Sequence, residues 1–127
     1  ETCSIPKSFP ETGLLDLQDR KIFLKGQKYL DLDYSLFTHD AITLDNLQSR
    51  SVSLRSKNHG GGLRLDFADF PYLILWSTAN KGPFIALEPW SGLSTAVDES
   101  DYFEEKRNVS FVEPGQFDRN YFDITVL

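Results

Sequence analysis

The sequence contains no methionine, a single cysteine, two histidines and two tryptophans in 127 residues. Each scarcity removes a kind of chemistry. A lone thiol, Cys3, cannot close an internal disulfide, which fits a reducing compartment and makes the cytoplasm the expected location. His39 and His59, without an H-x-x-x-H or C-x-x-C spacing beside them, supply no zinc-type ligand set. No G-x-x-x-x-G-K run is present, and no glycine-rich turn joins a strand to a helix, so a phosphate-cradling loop is not expected either. Neither a metal nor an organic cofactor is therefore expected. Long apolar runs are also missing: Pro71 to Trp76 and Gly82 to Leu87 are far too short to cross a bilayer, and no basic start leads into an apolar h-region. Basic residues are outnumbered, 13 against 19 acidic, for a net charge of −6. Such a surface repels phosphate backbones and anionic lipids, so neither nucleic acid nor membrane is an expected partner. The chain opens on Glu1 and holds no methionine, and it is read as a fragment of a longer polypeptide. Its length suits one domain with a real core.

Period-two patterning is what the sequence does contain. Lys21 to Lys25, Ser51 to Arg55, Leu63 to Phe67 and Tyr121 to Val126 alternate or nearly so, and each reads as a half-buried strand. Tyr72 to Trp76 and Phe84 to Leu87 are apolar at both parities, as expected of central strands covered on two faces. Turn chemistry lies between them at Lys57 to Gly62, Asn80 to Pro83 and Glu113 to Gly115. Within Asp31 to Leu47, Tyr34, Phe37 and Ala41 fall at helical intervals, but Thr38, Ile42 and Thr43 favour extended backbone. That stretch is read as a loop or single turn leading into a strand at Ala41 to Leu44, and Asp98 to Lys106 as an acidic surface loop with at most one turn of helix. The expected class is all-β, an antiparallel β-sandwich.

His59-Gly60-Gly61-Gly62 matches the HGGG run that forms the oxyanion hole of some esterases, but the G-x-S-x-G elbow which that chemistry requires is missing. Glycines between two alternating strands read more simply as a hairpin loop, with His59 exposed. Asn108-Val109-Ser110 matches a glycosylation sequon; without a secretory signal it is read as ordinary loop. Carboxylates and aromatics remain. Strand alternation puts Phe84, Ala86 and Glu88 on one face, kept shallow by Ala86, while Pro89 is expected to end regular pairing before Trp90. The plain alternatives are that Glu88 ends a strand in water and Trp90 closes the core. His39 and Asp40 precede a strand, where such a pair usually forms a turn or a solvated edge. Brought beside Glu88, Asp40 would give two carboxylates near an indole, a set suited to sugars: carboxylates accept hydroxyl hydrogen bonds and the ring covers C–H groups.

Asp69-Phe70-Pro71-Tyr72-Leu73-Ile74-Leu75-Trp76-Ser77, followed by Pro83-Phe84-Ile85-Ala86-Leu87-Glu88-Pro89-Trp90-Ser91-Gly92, resembles the DFP…LxLWS…PFxxxEPWxG pattern of the galactose mutarotase-like (aldose 1-epimerase) superfamily, in its bacterial branch linked to lactose and galactose use. Phe37 to Leu44, reading FTHDAITL, is similar to that branch's F-x-x-DAL segment, and Pro114-Gly115 to its late PG turn. The resemblance runs from about Leu30 to the end. It implies part of a large antiparallel supersandwich, residues 1–127 being the C-terminal part of one domain. The implied reaction interconverts the α and β anomers of a free hexose such as galactose or glucose. In that family a glutamate near the C-terminus is the general base on the anomeric hydroxyl, and a histidine is the general acid on the ring oxygen. By motif position Glu88 resembles the base and Asp40 the aspartate that binds sugar hydroxyls; Trp90, for its indole face, and His39, beside Asp40, are further candidate substrate contacts from the residues themselves.

The departures have consequences. The family's catalytic histidines and its substrate-binding arginine belong to an N-terminal half that these residues do not match, and neither His39 nor His59 fits their motifs. The expectation is an isomerase as a complete protein and an inactive chain alone, one that associates with the missing half or with a second copy of itself. A non-catalytic carbohydrate-binding module is the alternative, and a glycosidase using Asp40 and Glu88 a third reading.

Overall fold

The structure, a computed structural model, describes residues 1–127. Eight strands form in the order β1 (Thr2–Phe9), β2 (Leu14–Lys25), β3 (Ile42–Leu44), β4 (Ser51–Arg55), β5 (Gly62–Asp66), β6 (Tyr72–Trp76), β7 (Ala86–Trp90) and β8 (Asp123–Val126). They make a β1–β2 ribbon and two three-stranded sheets, β3–β6–β7 and β4–β5–β8. Every strand pairing is antiparallel, so the class is all-β as expected. The helical content is two 3-10 turns, Tyr34–Phe37 and Phe103–Glu105, and no helix is long and apolar enough to cross a membrane.

Two expectations need correction. No strand was expected before Lys21, yet β1 and the first half of β2 form a long ribbon. The residues left over at the two register shifts, Phe23 and Leu17 to Asp19, lie on β2 and break its alternation, and Pro6 inside β1 reads against a strand because it cannot donate to a ladder. The strand expected at Phe84 to Leu87 begins later, at Ala86, and is an edge rather than a central strand, half-buried along its length. An edge is where a proline lacking N–H is tolerated, and pairing continues through it: Leu73 opposes Pro89 and Tyr72 opposes Trp90.

The core gathers side chains from all three sheets: Cys3 and Ile5 from the ribbon, Ile42, Leu44, Leu73 and Leu75 from one face of β3–β6, Leu65 from β5, and Phe37, Leu47 and Phe67 from the connections. Phe67, Leu73 and Ile74 are completely enclosed, and each such side chain contributes about 1.5–3 kcal/mol by leaving water. The ribbon is tied to this core by a forked ion pair. Arg20 donates to both Asp45 oxygens at 3.0 and 2.5 Å and to the Ser4 carbonyl at 2.9 Å. The carboxylate raises the guanidinium's affinity for its proton, and both side chains are largely shielded from solvent, where such a fork is stronger than on the surface.

The HGGG run is the hairpin loop the sequence implied, joining β4 to β5 with His59 exposed. Gly62 is required there for space: a Cβ would sit 2.1 Å from the Leu54 carbonyl oxygen of the paired strand.

Candidate functional site

The β3–β6–β7 sheet has two different faces. Ile42, Leu44, Leu73 and Leu75 point one way, into the core. Alternation sends their neighbours the other way, and the register aligns Thr43, Ile74 and Glu88 in one row straight across the three strands. Trp76 lies opposite Ala86 and Tyr72 opposite Trp90 on that second face. Thr43, Ile74, Trp76, Glu88 and Trp90 form the floor of an open cleft of about 240 Å³, with Asp40 and Ala41 at the β3 end. Its other walls come from the turn of the ribbon, Ser8, Phe9, Gly13, Leu14 and Leu15, and from Ser94.

Asp40, before β3, and Glu88 and Trp90, both on β7, therefore line the same cleft although far apart in the chain. His39 does not line it: the residue is exposed, and it is held through its carbonyl, which accepts from Ser8 Oγ at 2.7 Å. That bond joins the segment before β3 to the ribbon. Asp40 sits at φ 78°, in the left-handed region, with its N–H donating to the Phe37 carbonyl at 3.2 Å. The chain must leave the Tyr34–Phe37 turn and reverse into β3, and aspartate is among the few residues other than glycine that enter this region readily. The backbone thus presents Asp40 at the cleft mouth.

Because pairing passes through Pro89, Trp90 keeps Glu88's face, contrary to the expected break. The indole Nε1–H donates to Glu88 Oε2 at 3.0 Å. One carboxylate oxygen is thereby fixed on the ring edge, and Oε1 has no protein donor. Glu88 is half-buried in mid-strand, not at a strand end in water. A floor of apolar and aromatic side chains with a few acceptors is the lining that a polyhydroxylated ring fits.

The rim is held from a distance. Leu15 and the 95–97 segment exchange backbone bonds, Leu15 N–H to the Thr95 carbonyl at 3.0 Å and Val97 N–H to the Leu15 carbonyl at 2.9 Å, around a parallel bridge between Leu15 and Ala96. Ala96 N–H in turn donates to Glu99 Oε2 at 2.7 Å, while Glu99 Oε1 accepts from the backbone and Nε of Arg107, both at 3.0 Å. Burial alone would raise the Glu99 pKa; the two backbone donors and the guanidinium outweigh it and hold the carboxyl at about 2. This anchor escaped the sequence reading, in which Asp98 to Lys106 was only an acidic surface loop. Trp76, Thr43 and the ribbon turn were missed too. The signal for Trp76 was its parity with Ile74, obscured because Tyr72 to Trp76 was read as covered on both faces. No group of three histidine, cysteine or acidic side chains converges to hold a metal ion.

Two curated proteins, Protein LacX, chromosomal, and Protein LacX, plasmid, both from Lactococcus lactis subsp. lactis, are each 68% identical to this chain over 127 residues. The chain is similar to LacX proteins. The match takes in all of this chain and 42% of each relative, so the chain spans less than half the length of the curated relatives it matches. No family model matches, and no solved structure gives a significant match.

Proposed function

We propose that the cleft is the base-bearing part of an aldose 1-epimerase-like site and that the chain is the C-terminal part of a longer, single-domain mutarotase-like protein. The observation that carries this reading is the convergence of Asp40, Glu88 and Trp90 on one open cleft; the motif resemblance selects Glu88 and Asp40 independently of the fold, and the chemistry of the indole selects Trp90. In the proposed reaction Glu88 accepts the proton of the anomeric hydroxyl of galactose or glucose through the oxygen that Trp90 leaves free. An acid protonates the ring oxygen, the ring opens, C1 rotates, and closure from the other face delivers the second anomer. A carboxylate suits the first task because it is ionised at neutral pH and accepts without also donating. Asp40 at the mouth accepts hydroxyl hydrogen bonds, and the indole covers ring C–H groups.

The acid is assigned to the part of the longer protein outside this chain. Neither His39 nor His59 lines the cleft, so the chain alone is expected to bind sugar and not to turn it over. Acceleration of the optical-rotation change of fresh α-galactose or α-glucose by the complete polypeptide tests the proposal, with loss of that acceleration in Glu88→Gln. Sugar binding with no acceleration would instead make the protein a carbohydrate-binding module, a reading favoured by a cleft whose walls hold acceptors and no histidine. Cleavage of aryl glycosides would turn the same carboxylates into glycosidase groups.

A further inference from the structure

The β4–β5–β8 sheet is as clearly two-faced as its neighbour. The register places Val52 and Leu54 of β4 beside Leu65 and Leu63 of β5, and these beside Ile124 and Val126 of β8. That face is aliphatic at every position. The opposite face carries Ser53, Arg55, Arg64, Asp66 and Thr125, with Arg64 and Asp66 forming an ion pair. The aliphatic face is covered unevenly: Val52, Leu54 and Leu63 are half-buried, and the β8 side is bare. Leu65 is 3% exposed within the core, yet Ile124 and Val126 are 61% and 86% exposed. Phe122 beside them is also exposed and has Phe70 as its aromatic neighbour.

The whole molecule repeats this imbalance. Its accessible surface is 8833 Å², whereas a folded monomer of 14.5 kDa exposes about 6,900 Å². The excess, about 1,900 Å², is more than twice the area of about 800 Å² that one partner contributes to an ordinary protein–protein interface. That excess is shared between the β8 face and exposed aromatic side chains of the segment before it, such as Tyr102, Phe103, Phe111 and Phe117. β8 is also an edge strand with an open hydrogen-bonding side.

We infer that the aliphatic face of the β4–β5–β8 sheet, centred on Leu63, Ile124 and Val126, is a packing surface for polypeptide lying outside these 127 residues, the counterpart of the 58% of each LacX protein that this chain does not match. The length of the relatives beyond the match is the ground for naming that occupant rather than a second copy of the chain. The inference does not depend on what the cleft binds.

The test is co-expression of this chain with the unmatched part of chromosomal LacX, followed by light scattering and hydroxyl-radical footprinting. The expected result is a one-to-one complex in which labelling of Leu63, Ile124 and Val126 falls several-fold relative to the chain alone. Ile124→Asp with Val126→Asp should weaken that complex at least tenfold. Both positions are solvent-exposed, so the circular dichroism of the variant chain alone should match the parent. Three outcomes would overturn the assignment: no complex, a complex that leaves these residues fully labelled, or a homodimer of this chain that covers the same face.

Discussion

In the β3–β6–β7 sheet the two faces have different surroundings. One is sealed in the core by Leu73 and Leu75, and the other is partly roofed by the ribbon turn to leave a cleft with Glu88 in its floor. In the β4–β5–β8 sheet the polar face meets water, while the aliphatic face is covered at Leu65 and bare at Val126. Both sheets are three-stranded and antiparallel, so strand geometry does not separate them. The difference lies in the availability of a cover. The cleft persists because Ser8, Arg20 and Glu99 pin the ribbon and the 95–97 segment over one sheet, and nothing within these residues performs that service for β8. A concave site and an uncovered packing face are therefore the same kind of object, a sheet face without a complete lid, told apart by whether polar groups point into it.

The largest expected effect breaks the functional side of that comparison. In a complete polypeptide that accelerates mutarotation, Glu88→Gln should lower the rate by about 10²–10⁴-fold, the usual contribution of a positioned general base, with the circular dichroism unchanged. An unaltered rate in polarimetry would remove Glu88 from the mechanism.

The next contrast is between the sheets themselves. Leu73→Ala, at 1% exposure, should destabilise the chain by about 2–5 kcal/mol in urea unfolding, because the cavity cannot fully collapse. Ile124→Ala should change it by less than about 0.5 kcal/mol, as exposed positions do. Equal losses at both would mean that the β8 face is already buried in solution.

Glu99 supplies a smaller, pH-dependent effect. Its folded-state pKa, about 2, lies below the ordinary glutamate value of 4.5, so the ionised form stabilises the fold. That contribution is complete above about pH 4.5 and is lost as the pH falls toward 2. Glu99→Gln should cost about 1–3 kcal/mol at pH 7, through lost hydrogen bonds to a charged group, and little near pH 2. The difference between urea midpoints of parent and variant at the two pH values measures it. A constant difference would show that the carboxylate's charge is not what holds the rim.

The smallest effect concerns the indole. Trp90→Phe keeps an aromatic surface but removes the N–H that fixes Glu88 Oε2. One neutral donor to a carboxylate is worth about 1.5–3 kcal/mol at most, and part of it is recovered from water at an open cleft. A fall of several-fold in kcat with little change in KM is expected; a change confined to KM would give Trp90 a binding role only.

Much of this architecture was legible in the residues. Ser51 to Arg55 and Tyr72 to Trp76 form strands at the expected bounds, because alternation and apolar runs bounded by turns report directly on local backbone. The single turn before Ile42 came from a short helical spacing opposed by Thr38, Ile42 and Thr43, and the hairpin at His59-Gly60-Gly61-Gly62 from turn chemistry. β1 was hidden by Pro6 in its middle, and the first half of β2 by the extra residues Leu17 to Asp19 that break its alternation. The edge position of β7 was hidden because apolar content at both parities cannot distinguish a strand covered by its own sheet from one awaiting a neighbour.

By itself the sequence determined an acidic, all-β chain, and it determined that a carboxylate at 88 would share a face with Ala86. Those properties depend on charge count and on a period of two, both local. Only the tertiary structure decided that Asp40 and Trp90 line the cleft with Glu88, that Trp90 bonds Glu88 across Pro89, that His39 stays outside, and that Glu99 holds the rim through Ala96. Each of these depends on cross-strand register and on contacts between residues far apart in the chain, which no local pattern encodes. The stretch Pro83 to Gly92 thus carried its acceptor in plain view, while the other walls of the cleft came from the turn of the ribbon.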